Sequence, residues 1–333
     1  MKLRLENTMW AASLTAICFL GQSGCSSMEL KLGWRVDLTQ TPVASIAASL
    51  PKGPGIAPGQ KSPLVVTVTQ PDGKVLRTEG QGGGKVMWKD LQVTASVVAV
   101  NQKGVVSLTK DPRVSDGKVG HLTVTVPSHP DLHADLDIPF RYDIAYVSNF
   151  SGRPGMDGWN GLDGTDGTSG NMGSLDPNNP SPGGDGSNGT NGSDGHDGDP
   201  GGDAPPVDVR VTLQSGAHPL LQVSVSASGQ RKFYLVDPQG GLLTVKADGG
   251  QGGSGGKGGR GGRGGSGGIG TPNGRDGSHG LDGRNGFDGR PGKGGRITVT
   301  FDLQAKPFLS VIHLSSRYGP PPVFRQASVA PLW

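Results

Sequence analysis

Glycine at every third position constrains this chain more than any other feature. It recurs without a miss from Gly152 to Gly173, eight times, and from Gly183 to Gly201, seven times. Farther on, Gly-Gly-X runs from Gly249 to Gly268 and closes at Gly270. After Thr271-Pro272-Asn273, Gly-X-X continues from Gly274 to Gly295, and between Gly250 and Gly295 only Thr271 misses the beat. Three residues is the period of polyproline II, which has no internal hydrogen bonds. All the glycines of one segment then share one edge. That edge carries no side chains, so a second backbone can approach it closely. The unused N–H and C=O groups are left for that neighbour. A flexible glycine linker is the plain alternative, but such a linker gains nothing from holding its phase.

Two ordered architectures fit. In the collagen triple helix, three chains supply one strand each. In a polyglycine II bundle, several such helices of one chain pack side by side, and the repeats here resemble those of insect glycine-rich antifreeze proteins and some phage adhesin tips. Three features favour the bundle, and with it a monomer over a collagen-like trimer. Gly-Gly-X has two bare edges, which suits a helix with neighbours on two sides. Pro is sparse at the other triplet positions, short of collagen composition. The four blocks also match in length, at 22, 19, 22 and 22 residues, or roughly 60–70 Å each at the polyproline II rise. Two antiparallel hairpins follow, one over 151–204 and one over 248–295. Residues 151–204 hold nine Asp and one Arg, and residues 248–296 hold eight Lys or Arg and four Asp. Opposite charge favours their association.

Everything else reads as β. Gly is 60 of 333 residues and Pro 26, while 32% of the chain is hydrophobic, so no large single core is expected. Period-two alternation marks strands with one buried face: Leu30 to Leu38, Leu64 to Val68, and Leu122 to Val126. Turn signals such as Pro71-Asp72-Gly73 and Asp116-Gly117 separate them. Residues 29–150 are thus expected to form a β-sandwich, and they resemble bacterial Ig-like modules without the cysteine pair. A second small β region, 205–247 and 296–316, carries the glycine hairpins. Its strands flank each one: Phe140–Val147 and Val207–Leu213 around the first, Leu242–Ala247 and Ile297–Leu303 around the second. The fold class is all-β with almost no helix after residue 24, and the Pro-rich tail 317–333 is expected to be loose.

The N-terminus carries Lys2 and Arg4, an apolar run from Thr8 to Gly21, and then Gln22-Ser23-Gly24-Cys25. An apolar run of that length suits a signal peptide rather than a membrane span. Small residues before a Cys resemble the lipobox of bacterial lipoproteins, with Gln22 where that family prefers Leu. An ordinary cleaved signal peptide is the alternative. The resemblance implies a signal peptide over 1–24, a lipidated N-terminus over 25–28 with the lipid on Cys25, and a membrane partner through that anchor. Ser26 rather than Asp after the Cys implies an exported outer-membrane lipoprotein of a Gram-negative cell envelope. Only Cys18 and Cys25 occur, so the mature chain can form no internal disulfide.

Chemistry is sparse. The residue before each Gly is mostly Asp or Asn, forming ladders at Asp157, Asn160, Asp163 and Asp166, at Asp185, Asn188, Asn191, Asp194 and Asp197, and at Asp276, Asp282, Asn285 and Asp288. Rungs about 9 Å apart cannot cage calcium, which needs oxygens within about 2.6 Å; adjacent ladders offer that only together. Asp157, Asp163, Asp166, Asp185, Asp194 and Asp197 are the weak cation candidates, and otherwise the ladders read as a solvated polar face. No other cofactor is expected. Met156, Trp159 and Leu162 on one block, and Leu281 and Phe287 on another, are expected to pack together. The pair His129 and His133 surrounds Pro130 in a β context, which denies the helix such a zinc pair needs. Many G-x-G-x-x-G matches are products of the repeat. A net charge of +3 gives no reason to expect a nucleic-acid partner. The expectation is a non-enzymatic surface protein that is structural or, alternatively, an adhesin binding glycans or another surface protein through the Asp/Asn-lined faces.

Overall fold

The computed structural model describes residue 30 and residues 32–333, apart from 215 and 217. The expected signal peptide, Cys25 and its flanking residues lie outside the described residues. The chain is all-β and divides into two units, the second being Ala145–Trp333. No helix among the described residues is long and apolar enough to cross a membrane.

Among the described residues the first unit has nine strands: β1 (Ser45–Ser49), β2 (Lys61–Pro63), β3 (Val65–Thr69), β4 (Val75–Arg77), β5 (Gln92–Ser96), β6 (Ala99–Val100), β7 (Val105–Ser107), β8 (Gly120–Val126) and β9 (His129–Ile138). They form three antiparallel sheets, β1-β3-β4, β2-β7-β6 and β5-β8-β9. Alternation works as expected in β3 and β8, whose Val66, Val68, Leu122, Val124 and Val126 are fully buried and share one core with Leu64, Val106 and Ile138. The β3–β4 turn needs Gly73, whose φ is +84°; its N–H donates to Gln70, while Asp72 accepts from Lys74.

The alternation from Leu30 to Leu38 misleads. Gly33, at φ +67°, turns the chain. Leu32 and Trp34 are exposed, Leu38 is buried, and Val36 makes only an isolated bridge to Val86. Five alternating residues do not make a strand without a partner for their backbone groups. The boundary expected at residue 150 also moves, because Ala145–Asn149 pairs within the second unit.

That unit has eight strands among the described residues: β10 (Ala145–Asn149), β11 (Val207–Gln214), β12 (Leu220–Ala227), β13 (Gln230–Val236), β14 (Leu242–Lys246), β15 (Ile297–Phe301), β16 (Ile312–Ser315) and β17 (Val323–Gln326). One sheet, β10-β14-β16, is wholly parallel; the other runs β13-β12-β11-β15-β17, with β11, β15 and β17 parallel. Val209, Val211, Val223, Val225, Leu243, Val245, Ile297 and Val299 bury one core shared by both sheets. The tail is not loose. Strand β17 extends the larger sheet, Ala327 donates to Phe301, Leu332 donates to Gln222, and Trp333 meets Phe233 edge to face.

Each glycine segment begins or ends at one of these strands. Segment I (Gly152–Gly173) follows β10 and segment II (Gly183–Gly201) precedes β11. Segment III (Gly249–Gly270) follows β14 and segment IV (Gly274–Gly295) precedes β15.

Candidate functional site

Strand register passes into the glycine segments without a slip. In β10 and β14, Asn149 is opposite Lys246; beyond them, the Phe150 N–H donates to Lys246, Gly152 to Asp248, and so on every third residue to Gly173 and Ile269. Segments I and III are therefore parallel. Likewise Val207 is opposite Ile297, and Gly201 donates to Arg290, Gly192 to Leu281 and Gly183 to Pro272, so II and IV are parallel. Antiparallel bonds join the remaining neighbours. Segment II donates to I (Ser193 to Leu162, His196 to Trp159), III to II (Gly259 to Ser193), and IV to III (Gly283 to Gly259), each at 2.8–2.9 Å. Segments II and III each bond to three others, whereas among the described residues no backbone hydrogen bond joins I to IV.

The glycines sit where a side chain has no room. A Cβ on Gly161 would stand 2.0 Å from the Ser193 carbonyl oxygen, and one on Gly192 2.2 Å from that of Gly259. Segment III needs both glycines of each triplet. A Cβ on Gly258 would strike the Gly283 oxygen at 2.0 Å, and one on Gly259 the Leu162 oxygen at 1.9 Å. Real Cβ atoms do not come this close, so the second Gly of Gly-Gly-X serves a second neighbour.

The Asp/Asn ladders have a structural task. In each III triplet around residues 254–264, the second Gly N–H donates to a carbonyl of II, leaving two N–H groups for side chains. The ladder of I takes one: Ser254 donates to Asp157, Lys257 to Asn160, Arg260 to Asp163 and Arg263 to Asp166, at 2.7–2.8 Å. The ladder of IV takes the other: Gly255 donates to Asp288, Gly258 to Asn285, Gly261 to Asp282 and Gly267 to Asp276. At Gly264 the acceptor is His279 Nδ1, at 3.4 Å. The ladder of II serves IV in the same way, with Asp185, Asn188, Asn191, Asp194 and Asp197 accepting from Arg275, Ser278, Leu281, Arg284 and Phe287. On the I–II seam hydroxyls replace carboxylates, and the N–H groups of Leu162, Thr165 and Thr168 donate to the side chains of Ser193, Thr190 and Ser187. Asx side chains are short enough to bond nearby backbone, which is why they serve this position.

Four expectations change accordingly. The cation candidates Asp157, Asp163, Asp166, Asp185, Asp194 and Asp197 do not converge; each spends an oxygen on a neighbour's N–H. No group of three or more His, Cys, Asp or Glu side chains able to hold a metal occurs among the described residues. The ladders are not merely solvated, although they are exposed. In them the carboxylates face backbone N–H groups, so charge complementarity between the hairpins is not what sets their contacts. Finally, Met156, Trp159, Leu162, Leu281 and Phe287 do not pack together: each is 72–81% exposed. Their separation follows from the pairing, which sets I and IV on opposite sides of II and III.

Each unit also carries open cavities. In the first unit, about 790 Å³ is lined by residues including Arg35, Glu79, Trp88 and Lys89. Glu79 there pairs with Arg35 at 3.2 Å and accepts the Trp88 N–H. On the I–II seam, Met156, Asp157, Trp159, His196, Asp197 and Asp199 line an open groove of about 410 Å³. Sequence periodicity could have placed Trp159, but not His196 or Asp199, which reach it through the antiparallel pairing of II with I. His129 and His133 lie on strand β9, as the Pro130 context requires. No protein-family model and no curated protein matches this chain.

Proposed function

We propose that this chain is a non-enzymatic structural protein of the cell surface, lipid-anchored at Cys25 in an outer membrane, that displays a stiff polyglycine II bundle. The observation that carries this reading is the two-directional backbone bonding of segments I–IV. A polyproline II helix has no bonds of its own; here every segment gains them from at least two neighbours. The two antiparallel hairpins of the bundle are I with II and III with IV, rooted through β10, β11, β14 and β15 in the second unit's sheets. An Ig-like sandwich for the first unit and monomeric assembly belong to the same reading. Its supports are the three antiparallel sheets around one apolar core and the closure of the hydrogen bonding within one chain.

Native-state amide exchange on the full chain tests the bundle. The N–H groups of Gly192, Gly259 and Gly283 are expected to exchange at least about a hundredfold more slowly than unstructured glycine amides, as hydrogen-bonded, structured backbone does. Exchange at the unstructured rate throughout 152–201 and 249–295 would leave only linkers. Metabolic labelling with an alkynyl fatty acid tests the anchor, with label expected on the wild type and absent from Cys25→Ser. A binding role is the second reading, favoured by the exposed apolar row on segment I.

A further inference from the structure

The geometry points to a saccharide-binding groove on the I–II seam, with Trp159 as its platform. The inference rests on an ordered bundle. Trp159 is 81% exposed, yet its backbone is held from two directions. Its carbonyl accepts the His196 N–H at 2.9 Å, and its neighbours Gly158 and Gly161 donate to segment III at 2.7 Å. A large aromatic ring presented to water on a pinned backbone is unusual, since such rings ordinarily bury 150–250 Å². Exposed apolar surface of this kind marks interaction sites.

The surroundings select the ligand class. Met156 flanks the ring along segment I, and His196 and Asp199 face it from segment II. Asp157 and Asp197 also border the groove, but their carboxylates accept the N–H groups of Ser254 on the I–III seam and Phe287 on the II–IV seam. One aromatic face, the flanking thioether of Met156, one imidazole and the Asp199 carboxylate make a site for a ring with an apolar face and a rim of hydroxyl donors, a pyranose. A carboxylate accepts strong hydrogen bonds from hydroxyl groups, and it repels anionic ligands. Neutral or amino sugars are therefore expected, while sialylated, sulfated or uronic sugars are not. At about 410 Å³ the groove suits a small ligand. A protein partner needs about 800 Å² of each surface, and the seam beyond Leu162 turns from apolar to hydroxyl at Thr165–Thr190 and Thr168–Ser187. A quaternary ammonium would need several aromatic faces around it, and the groove has one.

The test applies the full chain to a printed array of neutral, amino and acidic oligosaccharides, followed by calorimetric titration of the strongest hit. Neutral or amino-pyranose hits are expected. Trp159→Ala should weaken the hit at least about tenfold, as truncation of a central aromatic anchor does. Asp199→Ala should weaken it about fivefold, for one lost hydrogen bond. Phe287→Ala, on the II–IV seam, should leave it within about twofold, as a residue outside the site does. Hits confined to acidic sugars, hits indifferent to Trp159→Ala, or no hits would overturn the groove. Amide exchange on the same sample separates the two failures: a protected bundle without sugar binding removes only the groove, while an unprotected one removes both.

Discussion

The first unit and the glycine bundle of the second are ordered by opposite means. Around β3 and β8, valine and leucine side chains leave water and the backbone pairs as a consequence. Between residues 152 and 201, and again between 249 and 295, every buried residue is a glycine. Nothing apolar collapses there. Close backbone approach is the structure, and side chains enter only as caps on a neighbour's N–H. A hydrogen bond nets about 1 kcal/mol against water, so such a bundle needs many in register. Its ordering cost is high too, because Gly loses the most conformational freedom on folding. Periodicity can thus replace hydrophobicity when the chain supplies long, phase-locked bonding and a packed base to set the register.

Substitutions at single positions can break this contrast. The largest effect is expected from Leu122→Ala, which empties a fully buried site in the first unit. It should cost about 3 kcal/mol, lower the melting of that unit, and leave bundle amide protection unchanged. Next comes Gly259→Ala, a single added methyl group 1.9 Å from the Leu162 oxygen. It should cost about 2 kcal/mol by overpacking and release protection in segments I to IV while the first unit's melting holds. A first unit that melted with the bundle would erase the distinction. Asp163→Ala is smaller. It removes the acceptor for the Arg260 N–H at an exposed seam where water can substitute, for about 0.5–1 kcal/mol, and Asp163→Asn should restore most of it.

The smallest effects are pH responses of opposite sign. In the first unit, His121 is raised above its ordinary value, first by its hydrogen bond with Asp137. The charges of Asp137 and Asp135 add to this, and desolvation opposes it with less weight than the hydrogen bond. Its contribution is complete below the unfolded value near 6.5 and fades as pH rises through the raised one. At the foot of segment III, burial works to raise Asp248. The Arg317 N–H, the Ser315 hydroxyl and the charges of Arg317 and Lys246 together outweigh it and hold the carboxyl low. That contribution is present above the unfolded value near 3.8 and fades as pH falls through the lowered one. Melting of the wild type against pH should show these slopes and that of His121→Ala and Asp248→Asn should each lack one, so equal slopes in wild type and variant would remove the assignment.

Much of this was legible in the residues. The alternations at Leu122–Val126 and Val207–Leu213 fall on strands, that at Leu64–Val68 does so from Val65, and that at Ile297–Leu303 does so as far as Phe301, beyond which Leu303 opens a 3-10 helix and is exposed; a half-buried strand writes its own period. Leu30–Leu38 shows the same pattern without a strand, since nothing local reveals whether a partner lies alongside. The tail from residue 317 carries prolines and yet docks, because parallel pairing with β15 and the Phe233–Trp333 contact come from distant sequence. At the groove, Trp159 was visible as an apolar rung, while His196 and Asp199 became its neighbours only when segment II folded back on I.

Sequence alone determined the bare edges: one Gly per triplet where a segment turns a single edge to a neighbour's carbonyls, two in segment III where it turns two. Those demands are local and steric, and each triplet carries them. Which segment lies beside which was decided only by the tertiary structure. Parallel pairing of I with III and of II with IV is inherited from β10 with β14 and β11 with β15, strands far apart in sequence whose register is set by burying one shared apolar core. The same pairing turned the Asp/Asn ladders into caps and left Trp159 and Phe287 in water.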